Sequence, residues 1–218
     1  MTIHVILADD HQVLRESLAA VLERDQGIRV IGQAENGRQV VRLARQLNPD
    51  IVLLDIHMPE LNGVEAARQI TIDLPRIQII MLSMYATKEH IFQAFQAGAR
   101  GYLLKETSVT EVIDAIKEVA QGRRYISQAL TDTVIDEYFL HRQSSAAIRP
   151  LDMLSDRERQ ILQLVAEGHS SKEIAAMLHL AISTVSTYRS RLMKKLGVED
   201  LAELIRFALE HGVIDSSR

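Results

Sequence analysis

The chain has 218 residues, 47% of them hydrophobic and 25% charged, with ten glycines, four prolines and a formal net charge of −4. That composition suits one large or two small globular domains and argues against disorder. The absence of cysteine excludes a disulfide framework, a thiolate zinc site and a thiol nucleophile. The N-terminus Met1-Thr2-Ile3-His4 lacks a signal-peptide pattern, and no apolar run approaches the roughly 18 residues of a membrane span, so a soluble, cytoplasmic protein is expected.

The first 122 residues alternate two patterns. Ile3 to Ala8 is an apolar run ending in Asp9-Asp10, and Val13, Leu14, Leu18, Val21 and Leu22 follow at helical spacing. Arg29 to Ala34 reads as a short strand, and Val40, Val41, Leu43, Ala44 and Leu47 as a helix stopped before Pro49. Ile51–Leu54 is a strand ending at Asp55, followed by a helix over 63–72. A strand over 77–82 ends at Ser83, and a helix over 88–97 is closed by Gly98. Gly101–Leu104 ends at Lys105, and a last helix runs from Val109 to Ala120.

Strands alternating with helices predict an α/β fold with a five-stranded parallel sheet covered on both faces. Right-handed crossovers then bring the strand C-terminal ends to one edge. Asp9, Asp10, Asp55, Ser83 and Lys105 all lie on that edge, where open parallel sheets carry their chemistry. Crowded carboxylates raise one another's pKa unless a cation neutralises them, and hard oxygen donors with room for water suit Mg²⁺. Lys105 is expected across the cleft as a positive charge, with Ser83 as a hydroxyl donor. The set suits an aspartyl-phosphate site with Asp55 as nucleophile.

Asp9-Asp10, Asp55 within Leu54-Asp55-Ile56-His57-Met58-Pro59, Gly63, Ser83 and Lys105 together resemble the receiver domain of two-component response regulators, over residues 1–122. The resemblance implies a flavodoxin-like (βα)5 fold, a histidine kinase as phosphodonor and phosphorylation of Asp55. It implies Mg²⁺ held by Asp10, Asp55 and the backbone carbonyl of His57, with Asp9 assisting through water. Ser83 and Tyr102 would form a switch pair, Ser83 moving toward the phosphate and the Tyr102 ring turning inward. His57 and Tyr85 would gate attacking water. Glu106 departs from the pattern, which usually has proline after the lysine.

Residues 123–150 change character. Ala129, Leu130, Val134, Ile135, Phe139 and Leu140 allow a short amphipathic helix, and Gln143-Ser144-Ser145-Ala146-Ala147 reads as a flexible linker. From Leu154 the pattern is helical only. Ser155 and Glu158 have capping-box spacing, and Gly168 stops the helix they open. Ser170 or Ser171 caps a second helix through Leu178. After a tight joint a third runs from about 183 to 196, and a fourth from about 200 to 210. The second and third have helix-turn-helix spacing.

Charge divides along the same line. Residues 1–122 hold 12 Lys+Arg against 16 Asp+Glu, while 145–218 hold 10 of each. Within the neutral part, Arg189, Arg191, Lys194 and Lys195 form a basic stripe without acids, a sharper DNA signal than overall charge. Val185, Leu192 and Leu196 face inward, and short hydroxyls lie among the arginines, as major-groove entry requires.

Leu154-Ser155-Asp156-Arg157-Glu158, Lys172-Glu173-Ile174-Ala175, Thr184-Val185 and Lys195-Leu196-Gly197-Val198 resemble the LuxR-type DNA-binding domain, here assigned to 151–218. With the receiver, the whole chain resembles a NarL/FixJ-type response regulator. That implies double-stranded promoter DNA as ligand, a homodimer on phosphorylation, and RNA polymerase among the partners. Ser186, Thr187 and Ser190 would face bases. Lys172, Arg189, Arg191, Lys194 and Lys195 would hold the backbone, with Tyr188 near the sugar-phosphate chain. Ala181 stands where the pattern has a Ser or Thr cap, and Ser183 stands at another DNA-facing position, where many members have lysine. Leu201, Leu204, Ile205 and Ala208 are dimer candidates, although a core role fits the same period. Two rivals remain: a constitutive DNA-binder whose receiver serves protein contacts, and an Mg²⁺-dependent phosphohydrolase. The second would need an acid where His57 stands.

Overall fold

The computed structural model describes residues 2–84, 87–131 and 150–215. They fall into two compact units, divided between residues 143 and 144. The predicted helix through Val134, Ile135, Phe139 and Leu140, the linker at 143–147 and Tyr85 lie outside the described residues.

The first unit is built from β1 (Ile3–Ala8), α1 (Gln12–Leu22), β2 (Ile28–Ala34), α2 (Gly37–Leu47), β3 (Ile51–Asp55), α3 (Gly63–Asp73), β4 (Gln78–Ser83), α4 (Lys88–Gln96), β5 (Gly101–Leu104), α5 (Val109–Ala120) and β6 (Tyr125–Ile126). The strands pair in the order β2-β1-β3-β4-β5-β6, all parallel. Strand residues alternate between two cores. Ile6, Ala8, Val52, Leu54, Ile79 and Met81 face one, while Val5, Leu7, Ile51, Leu53, Ile80 and Leu82 face the other. Both faces are dry, which is why β3 is apolar throughout until Asp55.

The sheet has six strands, not the five expected. Tyr125 and Ile126 pair with Gly101 and Tyr102, and a 3₁₀ turn over Gln128–Leu130 follows. Ser127 donates its N–H to the Tyr102 carbonyl at 3.0 Å and its hydroxyl to Glu111 at 2.7 Å. Leu130 is fully buried in the same core as Tyr102. A two-residue strand is too short to show a period in sequence, so this part of the expected linker is instead an edge of the sheet. In α1, Val13 is 79% exposed and Leu14 is exposed as well. The core contacts of that helix come from Ala19 and Leu22, with Leu18 packed against the same core.

The second unit contains α6 (Asp156–Ala166), α7 (Ser171–Leu178), α8 (Ile182–Leu196) and α9 (Leu201–Glu210). Ser155 and Ser170 each close a capping box, with Glu158 and Glu173, stabilising each helix start by about 1 kcal/mol. Val185 and Leu192 of α8 are fully buried, as their spacing predicts. No described helix is long and apolar enough to cross a membrane.

Candidate functional site

Strand register assembles the acidic pocket. Ala8 lies beside Leu54, Asp55 beside Leu82, and Ser83 beside Leu104. Asp9, Asp55, Ser83 and Lys105 therefore follow one another across the C-terminal edge. The strand order reverses direction between β1 and β3, where the two aspartates sit. Gly63 sets the floor: its N–H donates to the Ile56 carbonyl at 2.8 Å. A side chain there would collide with the Asp55 carbonyl, so only glycine lets α3 start so close to the acid.

Lys105 is more central than the sequence suggests. Its ammonium does not stand across the cleft but bridges the acids, 2.8 Å from Asp9 Oδ2 and 2.9 Å from Asp55 Oδ2. All three side chains are about 95% buried. Two buried carboxylates need a nearby cation, and the long lysine side chain reaches them from the end of β5. Burial still pushes the Asp55 pKa up to about 6, despite Lys105 and a hydrogen bond from the His57 backbone that pull it down; Asp9 adds to the rise.

Asp10 is half-buried beside this cluster. His11 Nδ1 lies 2.9 Å from Asp10 Oδ1 and 3.3 Å from Asp9 Oδ1. The His11 backbone N–H donates to the same Asp9 oxygen at 2.9 Å. One turn later, Arg15 donates to the Asp9 main-chain carbonyl. Both residues were missed as site residues in the sequence, although both follow Asp9-Asp10 within six positions. Carboxylates of Asp9, Asp10 and Asp55 that converge from different loops fit a divalent cation with hard oxygen ligands.

Ser83 and Tyr102 are both fully buried and hydrogen-bonded to each other. The Tyr102 ring already points inward. Its hydroxyl is pushed up to about 12, first by burial, against the Ser83 hydrogen bond, with the Asp55 charge adding to the rise. The His57 ring meets the buried ring of His90 on α4 edge-on, with centroids 5.2 Å apart.

The basic helix has a different character. Ser183, Ser186, Thr187, Ser190, Arg191, Lys194 and, on α7, Lys172 are exposed. Ser186 and Thr187 donate their hydroxyls to the carbonyls of Ile182 and Ser183 one turn back, leaving their lone pairs outward. Ala181 stands at the N-cap of α8 without a side-chain cap bond, as its sequence implies.

Other residues of the predicted set are tied into the fold. Arg189 is half-buried and donates to Ser171 at the start of α7. Lys195 pairs with the buried Glu158 at 2.7 Å and also reaches the Met153 carbonyl. Lys195 and the Ser155 cap together hold the Glu158 carboxyl below its usual range, although burial, the largest single effect, opposes them. The Tyr188 ring packs against the helical core. Leu204 and Ala208 are core residues, 1% and 0% exposed, so they cannot offer the dimer surface expected of them. On α9 the exposed leucines are Leu201 and Leu209.

Comparisons with known proteins divide at the same place. The family described as response regulator receiver domain matches residues 5–117. The family described as bacterial regulatory proteins, luxR family, matches 152–208. The transcriptional regulatory protein MctR of Rhizobium johnstonii is 39% identical over 212 residues, covering 97% of this chain and 95% of that one. The response regulator protein VraR of Staphylococcus aureus is 33% identical over 214 residues, covering 98% and 100%. A solved complex of the two-component response regulator RcsB with DNA is similar with a TM-score of 0.58 and 25% identity, over 97% of this chain and 99% of that one.

Proposed function

Because the chain belongs to the two-component response regulators that carry a LuxR-type DNA-binding domain, we propose that phosphorylation of Asp55 by a histidine kinase switches it to a DNA-binding dimer. The receiver takes up residues 1–122, completed by β6, and the DNA-binding domain residues 151–218. The carrying observation is Asp55 itself: a carboxylate 3% exposed at the end of a central strand, with Lys105 at 2.9 Å and two further acids beside it.

A pKa near 6 leaves Asp55 about nine-tenths ionised at pH 7, so it can attack. One Asp55 oxygen forms the acyl phosphate as the P–N bond of a kinase phosphohistidine breaks, and the departing imidazole takes up a proton. Lys105 then redirects hydrogen bonds from Asp55 to phosphoryl oxygens, and Ser83 donates its hydroxyl to another. Asp10, Asp55 and the His57 carbonyl would hold Mg²⁺ directly, with Asp9 acting through water. Bound there, the ion supplies positive charge beside the phosphoryl oxygens. Phosphorylation adds nearly two negative charges and strong acceptors to a buried site. Ser83 is the side chain that links this change to Tyr102, and Tyr102 lies beside β6. The His57 ring shields Asp55 from attacking water.

On DNA, Ser183, Ser186, Thr187 and Ser190 face bases, while Lys172, Arg191 and Lys194 hold phosphates. Arg189 reaches the backbone from its seat on Ser171. Tyr188 and Lys195 act chiefly by fixing α8 in the domain. The relative RcsB was solved on DNA, which supports this placement of α8. On α9, Leu201, the half-buried Ile205 and Leu209 are the apolar side chains available for a two-fold contact.

Treatment with acetyl phosphate and Mg²⁺ should add one phosphoryl mass to the intact protein and none to Asp55→Asn. Equal labelling of both, or of neither, would refute the assignment.

A further inference from the structure

Asp9, Asp10, His11 and Asp55 each offer one donor atom, and the four atoms lie within 4.8 Å of one another. Three are acids already placed around the cation, and the fourth is the His11 imidazole. His11 sits at the N-cap of α1 but makes no side-chain cap bond. Its Nδ1 turns instead to the acids, at 2.9 Å from Asp10 Oδ1 and 3.3 Å from Asp9 Oδ1. Adjacent ligands around an octahedral ion with bonds of about 2.1 Å stand about 3.0 Å apart. Nδ1 therefore stands at a ligand-to-ligand distance from Asp10 Oδ1, the acid that would bind the ion directly, and beside Asp9 Oδ1.

The two cationic or basic groups also divide Asp9 between them. Lys105 takes Oδ2, and His11 lies against Oδ1. The Oδ1 side, shared with Asp10, is the side that remains for an ion. The ring is 71% exposed and anchored through its backbone N–H, so it can adjust without disturbing the core.

We propose that His11 is a nitrogen ligand of this divalent-cation site and makes the pocket favour first-row transition ions over Mg²⁺. This rests on the reading of the acidic pocket as a cation site. Imidazole prefers softer ions, whereas carboxylate and water suit Mg²⁺. A His11 that merely hydrogen-bonded to the acids would compete with every divalent ion alike.

The test is competitive binding on the full chain, with Co²⁺ read by its visible absorption and displaced by Mg²⁺. Asp55→Asn identifies the fraction of Co²⁺ held at this pocket, since the chain has eight histidines. His11→Gln, checked for folding by circular dichroism, should lower the Co²⁺-to-Mg²⁺ affinity ratio about tenfold and move the absorption band. His11→Ala should do the same. An unchanged ratio and band in both variants would overturn the proposal. Failure of wild type to bind Mg²⁺ would overturn the cation reading beneath it, and that failure is visible without any variant.

Discussion

The acidic pocket and the basic helix treat charge in opposite ways. In the pocket, Asp9, Asp55 and Lys105 are about 95% buried and answer one another directly. On α8, Arg191 and Lys194 point into solvent among short hydroxyls. The pocket holds most of its chemistry in its own contacts, so pKa and geometry speak to what it does. The helix is a surface whose meaning lies in a polyanion it meets. Lys195 marks the boundary between the two: it belongs to the basic stripe by sequence, yet it is paired with a buried glutamate like a pocket lysine.

Two buried side chains of the first unit sharpen the contrast. Lys105→Ala should cost about 3–5 kcal/mol in chemical denaturation, because it leaves buried acids without their cation. A cost under about 1 kcal/mol would mean that the pocket is wetter than it looks. Leu130→Ala should cost the first unit about 2–5 kcal/mol, since its side chain fills the core beside Tyr102. A neutral result would return residues 127–131 to the linker.

The pH response of the pocket has a defined sign. The Asp55 pKa is raised from 3.8 to about 6, so the folded chain holds this proton more tightly than the unfolded one. Its contribution to stability is complete below about pH 4 and is lost as pH rises through about 6. Asp55→Asn lacks that loss. In EDTA, the unfolding midpoint of the variant relative to wild type should therefore rise by about 4–8 °C between pH 4 and pH 7. A difference that stays flat would contradict the burial argument.

The smaller effects belong to the helix. Arg191→Ala should weaken binding to all DNA sequences alike and reduce the salt slope by about one. Lys195→Ala should cost about 1 kcal/mol of stability, as half-exposed pairs do, and leave the salt slope in place. If Lys195→Ala lowers the slope as much as Arg191→Ala, Lys195 contacts phosphate and belongs with the exposed basic face rather than with the fold.

Much of the pocket was legible in the sequence because strand ends carry few degrees of freedom. Once five strands are parallel, Asp9, Asp55, Ser83 and Lys105 must share an edge. What could not be read was the reach of each side chain: Lys105 bridging the acids, His11 turned to Asp10, Arg15 holding the Asp9 carbonyl. β6 was hidden because Tyr125 and Ile126 are too few to show alternation. The Glu158–Lys195 pair spans 37 residues, beyond any local pattern. On α9 the period was correct but ambiguous, since Leu204 and Ala208 repeat at the same interval whether they face a core or a partner.

In the proposed switch, Asp55 couples the two regions. The DNA affinity of the full chain, with and without acetyl phosphate and Mg²⁺ and beside Asp55→Asn at one salt concentration, tests that coupling. Phosphorylated wild type should bind a promoter fragment at least about tenfold more tightly, a difference of about 1.4 kcal/mol, while Asp55→Asn should not respond. Equal affinity for phosphorylated and unphosphorylated wild type, on protein shown by mass to carry the phosphoryl group, would contradict it.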